Sequence, residues 1–304
     1  MVRTSRLALR LVASGVGILA DDMFGEPPLH PHPVAAFGSA MRAVERVLYR
    51  DERAAGVVHA ALGTGLGAAA GAVLGSTALG TYLAVAGRGL RDAADAVAAP
   101  LACGDLVEAR RLLPALVGRD PERLDGSEIA RAVVESLAEN TVDAVVAPVV
   151  WALVGGGAGV LAYRAVNTMD AMVGHRNDRY ERYGWAAARL DDAANLVPAR
   201  LTAALVACVR PRRAAAVRWA VRTQAGAHPS PNAGVAEAAF AAALDVRLGG
   251  TNSYAGRAET RPALGTDRVP DAADISAAGR LSRDVSVALA AGLLATAGAV
   301  RRWR

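Results

Sequence analysis

A chain of 304 residues has room for one or two domains and for a substantial core. The residues AVILMFWYC make up 53% of it and charged residues only 21%, at a mean hydropathy of +0.24, which is too apolar for an ordinary water-soluble domain and too well supplied with scattered charge for a disordered one. A net charge of +5 does not point to nucleic acid, because aromatic residues are 4% and no basic stripe interleaves with them; charge held at a membrane face accounts for it better.

The first predicted element is an apolar helix over 7–20, behind Arg3, Arg6 and Arg10. It has the outline of a signal peptide, but the small-x-small cleavage pattern is poor and Asp21-Asp22 lead directly into a polar motif, so it is read as retained. Residues 54 to 87, between Arg53 and Arg88, carry no formal charge. As one helix this stretch would reach about 51 Å against a hydrocarbon core of roughly 30 Å, so a hairpin of two crossings turning near Gly75-Ser76 is expected. Arg42, Arg46, Arg50 and Arg53 on one flank, and Arg88 and Arg91 on the other, then share the cytoplasmic side. Gly63, Gly67, Gly71 and Gly75 recur at every fourth position, which lets helix backbones approach closely.

The segment 144–163 is long enough to cross, but Pro148 and Gly155-Gly156-Gly157 predict a bent or re-entrant helix. If it crosses fully, the polar blocks on either side of it face opposite sides of the membrane unless a short further crossing follows near 201–209. The last apolar segment, 285–300, ends on the interfacial stop Arg301-Arg302-Trp303-Arg304. The expected fold is therefore all-α: a polytopic membrane protein with about four transmembrane helices, whose helical cytoplasmic-side segments carry the polar motifs, in one domain over 1–304.

All 34 basic residues are arginine. Without lysine there is no Walker A loop and no Schiff base for PLP, so phosphate would be handled by Arg forks, backbone amides and metal. Cys103 and Cys208 have no CxxC or His-spaced neighbour, which removes disulfide and zinc readings together and leaves them as expected buried small side chains.

Four polar blocks lie between the apolar segments. In 21–38, prolines fix an extended path along which Asp22, Glu26 and His32 either converge on a ligand or metal or form a surface turn with incidental acids. In the second, Ser127 is the expected N-cap of a helix on which Glu135, Glu139 and Asp143 fall at i, i+4 and i+8. Three carboxylates so spaced repel unless a cation, Arg131 or a shared proton relieves them, so the face is either a Mg²⁺ site or a solvated acidic surface. The third block, 163–201, pairs Asn167 with Asp170 and Asp191 with Asn195 on helix faces, with Arg176, Arg189 and Arg200 as candidate phosphate forks. Arg189 equally suits an ion pair with Asp191-Asp192. The fourth, 229–256, opens with a turn before a helix from about Val235, whose free amides suit an anion. Its Gly249-Gly250 suits a tight turn or close approach of a ligand.

The order of these blocks resembles the CobD/CbiB family, the membrane-bound adenosylcobinamide-phosphate synthases of cobalamin biosynthesis. The resemblance is carried by FGEPP with HPV (24–28, 32–34), AVVESLAENTVDAVVAPVVWAL (132–153), YRAVNTMDAMVGHRNDRYERYGWAAARLDDAANLVPARL (163–201) and PSPNAGVAEAAFAAALDVRLGGTNSYAG (229–256). Tyr183-Gly184-Trp185 stands where Phe-Gly-Trp is expected.

The resemblance implies an acid–amine ligase that joins a propionate carboxylate of adenosylcobyric acid to (R)-1-amino-2-propanol phosphate, or to aminopropanol, with ATP and Mg²⁺ and without PLP, zinc or haem. A carboxylate is a poor acyl donor, so activation as an acyl phosphate is expected before the amine attacks. Set on the polar blocks, this implies a catalytic group of Glu135, Glu139, Asp143, Asp170, Asp191 and Asp192, the first three also as Mg²⁺ ligands. It implies substrate and phosphate binding by Glu26, His32, Asn167, Arg176, Arg189, Arg200 and Asn232. It further implies a multi-pass protein of the cytoplasmic membrane with its site facing the cytoplasm, binding corrinoid and amine but no nucleic acid. A homodimer, or a complex with other corrinoid-assembly enzymes, stays open. The alternative is a non-catalytic AmpE-like sensor or permease, which would be expected to bury ionisable groups inside its apolar segments.

Overall fold

In a computed structural model of the chain, residues 2–118, 120–175, 177–254 and 257–302 are described, the side chains of 2–5 and 252–259 excepted. Helices dominate as predicted: α1 (Val2–Phe24), α2 (Pro33–Leu48), α3 (Arg53–Leu74), α4 (Thr77–Ala84), α5 (Gly87–Ala102), α6 (Leu106–Leu112), α7 (Gly126–Thr141), α8 (Ala147–Val173), α9 (Trp185–Val209), α10 (Ala214–Thr223), α11 (Ala233–Leu244) and α12 (Ala272–Arg302). The antiparallel hairpin of β1 (Arg247–Tyr254) and β2 (Arg257–Gly265) is the one sheet among the described residues.

Four stretches are long and apolar enough to cross a membrane: Arg53–Leu74, Gly126–Val173, Trp185–Val209 and Ala272–Arg302. The count agrees with the sequence reading, although its members shift. The helix over 7–20 forms within α1 but is not among the four, while α9 takes in the further crossing expected near 201–209. The chain folds into two compact units, one of Met1–Ala86, Asp143–Asn195 and Leu289–Arg304, the other of Gly87–Val142 and Leu196–Ala288.

In the first unit α3 shows why its composition suits a bilayer. It turns small residues inward (Gly56, Ala60, Gly63, Gly67, Gly71) and leaves Val57, Val58, Leu62, Leu66 and Val73 exposed. A water-soluble helix does the reverse; small residues inside and large apolar ones outside is the pattern of a helix packed in lipid. α3 packs along α8, which is also the partner of α1, α2 and α4. A Cβ on Gly63 would strike Met169, on Gly67 the Leu161 carbonyl, and on Gly71 the Gly157 backbone, so the four-residue spacing does what the sequence predicts. Gly75 serves differently. At φ 65° it ends α3, and Ser76 then caps α4 by accepting from Leu79 N at 3.2 Å. The turn falls where expected, but α4 has 8 residues, about 12 Å, and is too short for the second crossing of the expected hairpin.

α8 is not one rod: of the bent and re-entrant forms expected it takes the re-entrant one, doubling back at Gly156 so that Tyr163 OH on its second arm donates to the Asp143 carbonyl at 3.3 Å. Pro148 sits in its first turn, where the missing N–H costs nothing, and the kink falls at Gly156 (φ 63°, ψ −145°). Arg10 Nη1 donates to the carbonyls of Leu153 and Val154 at 3.0 and 2.6 Å, replacing bonds lost at the kink. After α8 the chain turns through Tyr183, which is 1% exposed and packs with Met41, Met169 and Val173. Its ring tilts against Tyr49 and His59 at 5.2 and 5.3 Å, but its hydroxyl has no hydrogen-bond partner. Burial pushes its phenol up to about 12. An orphaned buried hydroxyl costs about 1 kcal/mol or more. Tyr183→Phe, which restores the expected Phe-Gly-Trp, should therefore raise the thermal midpoint in detergent by roughly 2–4 °C; a lower midpoint would mean that the hydroxyl is bonded.

In the second unit α7 starts with a capping box. Asp125, not Ser127, is the N-cap: its Oδ1 accepts from Glu128 N at 2.9 Å, while Glu128 Oε2 accepts from Asp125 N at 2.9 Å. Ser127 instead donates to Asp125 Oδ1 at 2.7 Å. The reciprocal pairing satisfies two orphan amides where a serine would satisfy one. The expected turn at Gly249-Gly250 is an irregularity within β1, with φ of 82° and 102° and the pairing shifted between Leu248 and Gly250. α7 grips it: Arg131 donates to the carbonyls of Gly249 and Thr251, and Glu135 Oε1 accepts from Gly249 N at 2.8 Å. Cys103 and Cys208 are both exposed, against the expectation of burial. Cys103 lies at the end of α5 before the left-handed Gly104, and Cys208 lies in a helix whose outward face is apolar anyway.

Candidate active site

Each unit carries a cluster of buried and half-buried polar side chains. In the first, the path begins at a π-helical turn, Val142–Val146, between α7 and α8. Its wider winding sets Asp143 off the α-helical spacing that the sequence suggests. Asn167 Nδ2 donates to Asp143 Oδ2 at 3.2 Å and to Asp191 Oδ1 at 3.3 Å, so one amide bridges two carboxylates. Asn195, one turn beyond Asp191, donates to its Oδ2 at 2.9 Å, and Tyr163 OH donates to Asn195 Oδ1 at 2.9 Å. Arg164 Nη1 donates to Asn167 Oδ1 at 3.3 Å. Asp170 lies within electrostatic range of Asp191 and Asp192. Its carboxylate fills the space that a Cβ on Gly174 would need, which explains a glycine in the Gly174-His175 turn.

The 27 residues of α8 form two arms that meet at Gly156, the second of which, 157–173, runs about 26 Å. This fold-back sets Asn167, near the end of the second arm, against Asp143, just before the first.

Other predicted residues of this unit have smaller roles. Glu26 is exposed and acts on Arg164 through its charge alone. His32 caps α2, its Nδ1 accepting from Val34 N at 3.4 Å. Arg189 pairs with Asp192 at 3.7 Å and is mostly exposed, which is the structural ion pair of the two readings left open for it. Arg176 lies outside the described residues.

The second cluster joins α7, α11 and β2. Glu139 and Glu237 both approach Arg261 Nη1 at 3.6 Å, and His228 Nε2 stands 3.5 Å from Glu237 Oε1. Glu237 is completely buried, its side chain at 0% exposure. Burial, reinforced by the charges of Glu139 and Glu135, holds its carboxyl well above the usual range. Burial likewise holds His228 below the usual imidazole value.

A carboxyl whose pKa is raised by folding favours the folded state most below the ordinary carboxylate pKa. That advantage drains away as pH rises towards the folded-state value. Glu237→Gln keeps the shape without the ionisation, so the variant's thermal midpoint should gain on the wild type between pH 5 and pH 8, by roughly 2–4 °C per kcal/mol. A difference that stays flat with pH would show Glu237 ionised in the fold.

Arg200 and Asn232 are brought together, with Nη1 donating to Oδ1 at 2.8 Å. The α11 amides expected to await an anion are used differently: Ser230 Oγ accepts from Asn232 N and Ala233 N at 3.3 and 3.2 Å. Glu135, Glu139 and Asp143 do not form one face. Glu135 bonds Gly249, Glu139 meets Arg261, and Asp143 belongs to the first cluster. Among the described residues no group of three or more His, Cys, Asp or Glu side chains is placed to hold a metal ion. Asp143 and Asp191 nevertheless fit a Mg²⁺ that arrives with a nucleotide, since such an ion takes one or two carboxylates and fills its shell with phosphate and water.

The sequence reading assigned no role to Arg164, His228, Glu237 or Arg261. Glu237 carried a usable signal, a lone acid inside the apolar run of α11. His228 and Arg261 carried none, because both reach their places through turns and a hairpin.

A family described as CobD/Cbib protein matches residues 14–282. The chain is 47% identical over 294 residues to the cobalamin biosynthesis protein CobD of Mycobacterium tuberculosis (strain H37Rv), covering 92% of this chain and 94% of that one. It is 43% identical over 272 residues to the CobD protein of Geobacter metallireducens, with 83% and 86% covered. Against that of Halalkalibacterium halodurans it is 40% identical over 288 residues, with 85% and 87% covered. No solved structure matches the chain.

Proposed function

The chain belongs to the CobD/CbiB family and has a role in cobalamin biosynthesis, and from this we propose that it is a membrane-bound acid–amine ligase. The proposed reaction joins adenosylcobyric acid to (R)-1-amino-2-propanol phosphate, or to aminopropanol, and forms adenosylcobinamide phosphate or its dephospho counterpart. The observation that carries this reading is the pair of carboxylates bridged by Asn167 and set beside the Arg164 guanidinium. Amide formation from a carboxylate needs phosphate charge neutralised and a proton taken from the amine, and this cluster has both kinds of group.

ATP with Mg²⁺ would supply the activating phosphoryl group. Asp143 and Asp191 would hold the ion, while Asn167, by donating to both, keeps two acids close without full repulsion. Asp170 would take the proton lost when the amine nitrogen bonds to the carboxyl carbon and phosphate leaves. In the second unit Arg200 with Asn232 is the candidate for a further phosphate, and Glu139 with Glu237 for proton exchange. The site is proposed to face the cytoplasm from the inner membrane.

The test uses purified protein in detergent with adenosylcobyric acid, aminopropanol phosphate, Mg²⁺ and ATP, and mass spectrometry of the corrinoid. ATP-dependent amide product is expected. Corrinoid bound but unchanged would favour the sensor or permease reading.

A further inference from the structure

In the first unit a cavity of about 80 Å³ lies among α2, α3, α4 and α8. Pro33, Val34, Phe37, Leu83 and Leu161 give it apolar walls, and Arg164 is the one charged residue among the described residues that line it. At roughly 30 Å³ for each water, it has room for a handful of heavy atoms and not for a ring system. Arg164 donates Nη1 to Asn167, but its Nε is buried and has no hydrogen-bond partner. A buried donor without a partner is unfavourable, more so on a charged group, and the fork of a guanidinium matches the two oxygens of a carboxylate.

A small apolar cavity with one open cationic donor is complementary to a carboxylate at the tip of a short aliphatic chain. A phosphate would bring more charge than one guanidinium balances, and an apolar tip would leave Nε unsatisfied. We propose that this cavity takes the short carboxylate-bearing arm of the acid substrate, with Arg164 binding the carboxylate next to the Asn167-bridged pair. This rests on the ligase reading above and names the part of the molecule that reads the acid. It also supplies a reason for product to leave. Once the arm is an amide it is neutral, and the charge-assisted bond to Arg164 is lost.

The experiment measures equilibrium binding of adenosylcobyric acid and of its carboxamide counterpart to wild-type protein and to Arg164→Gln, alongside amide formation by the wild type. The expected result is wild-type preference for the acid by about tenfold or more, reduced to near equality in Arg164→Gln and partly kept in Arg164→Lys. Acid and amide bound equally by the wild type would overturn the assignment, and this comparison depends on no variant folding. Amide formation by the wild type together with an undiminished acid preference in Arg164→Gln would overturn it while leaving the ligase reading standing. Neither binding nor product in the wild type would remove the ligase reading and this assignment with it.

Discussion

Asp191→Asn is expected to slow amide formation by about 100-fold or more with the fold intact. Asp191 accepts from Asn167 at one oxygen and from Asn195 at the other, so both of its lone-pair faces are engaged by amide donors. The substitution keeps the shape but turns one acceptor into a donor facing another donor, and it removes half of the proposed Mg²⁺ pair. Because Asp191 lies in the turn of α9 that presents it to α8, and not in the packing of α3, helix content and chromatographic behaviour should match the wild type. Asp143→Asn should act in the same direction, since Asn167 donates to it as well. If the carboxylates serve Mg²⁺, both losses should lessen as Mg²⁺ is raised. Full turnover in both variants would remove the first cluster from the chemistry.

Gly71→Leu is expected to leave little folded protein after extraction. The place of its Cβ is occupied by the Gly157 carbonyl and the Ala158 Cα, which are backbone atoms of α8 and cannot rotate away. Overpacking of this sort ordinarily costs about 1–3 kcal/mol with flexible neighbours, and rigid backbone puts this substitution at about 3 kcal/mol or more. Gly65 lies on the same helix with nothing within 4 Å of its would-be Cβ. Gly65→Leu should then differ from the wild type by about 0.5 kcal/mol or less. Midpoints of thermal unfolding in one detergent compare the three proteins, and equal losses in the two variants would mean that α3 and α8 do not meet through Gly71.

How far the sequence could be read follows from where the determinants lie. The glycines of α3 were legible because a period of four residues is a property of one helix, and so was the pairing of Asp191 with Asn195 at i, i+4. The turn at Gly75-Ser76 was legible from its residues, but the shortness of α4 was not, since an uncharged run does not show where helix stops. Asp143 was placed on the wrong face because a π-turn intervenes, and nothing in Val142–Val146 announces one. The hairpin was read as a turn because Leu248-Gly249-Gly250 has weak strand propensity; what holds it is Arg131 and Glu135, more than a hundred residues earlier in the chain. The second cluster was missed for the same reason: His228, Glu237 and Arg261 become neighbours only through the packing of α11 and β2.

The central claim is that the chain activates a corrinoid carboxylate and passes its acyl group to an amine. It is tested most directly with adenosylcobyric acid carrying ¹⁸O in that carboxylate, incubated with purified protein, ATP, Mg²⁺ and aminopropanol phosphate. The account predicts one ¹⁸O in the released inorganic phosphate for each amide formed. Amide formed without ¹⁸O transfer to phosphate, or corrinoid recovered unchanged with its label in place, would contradict it.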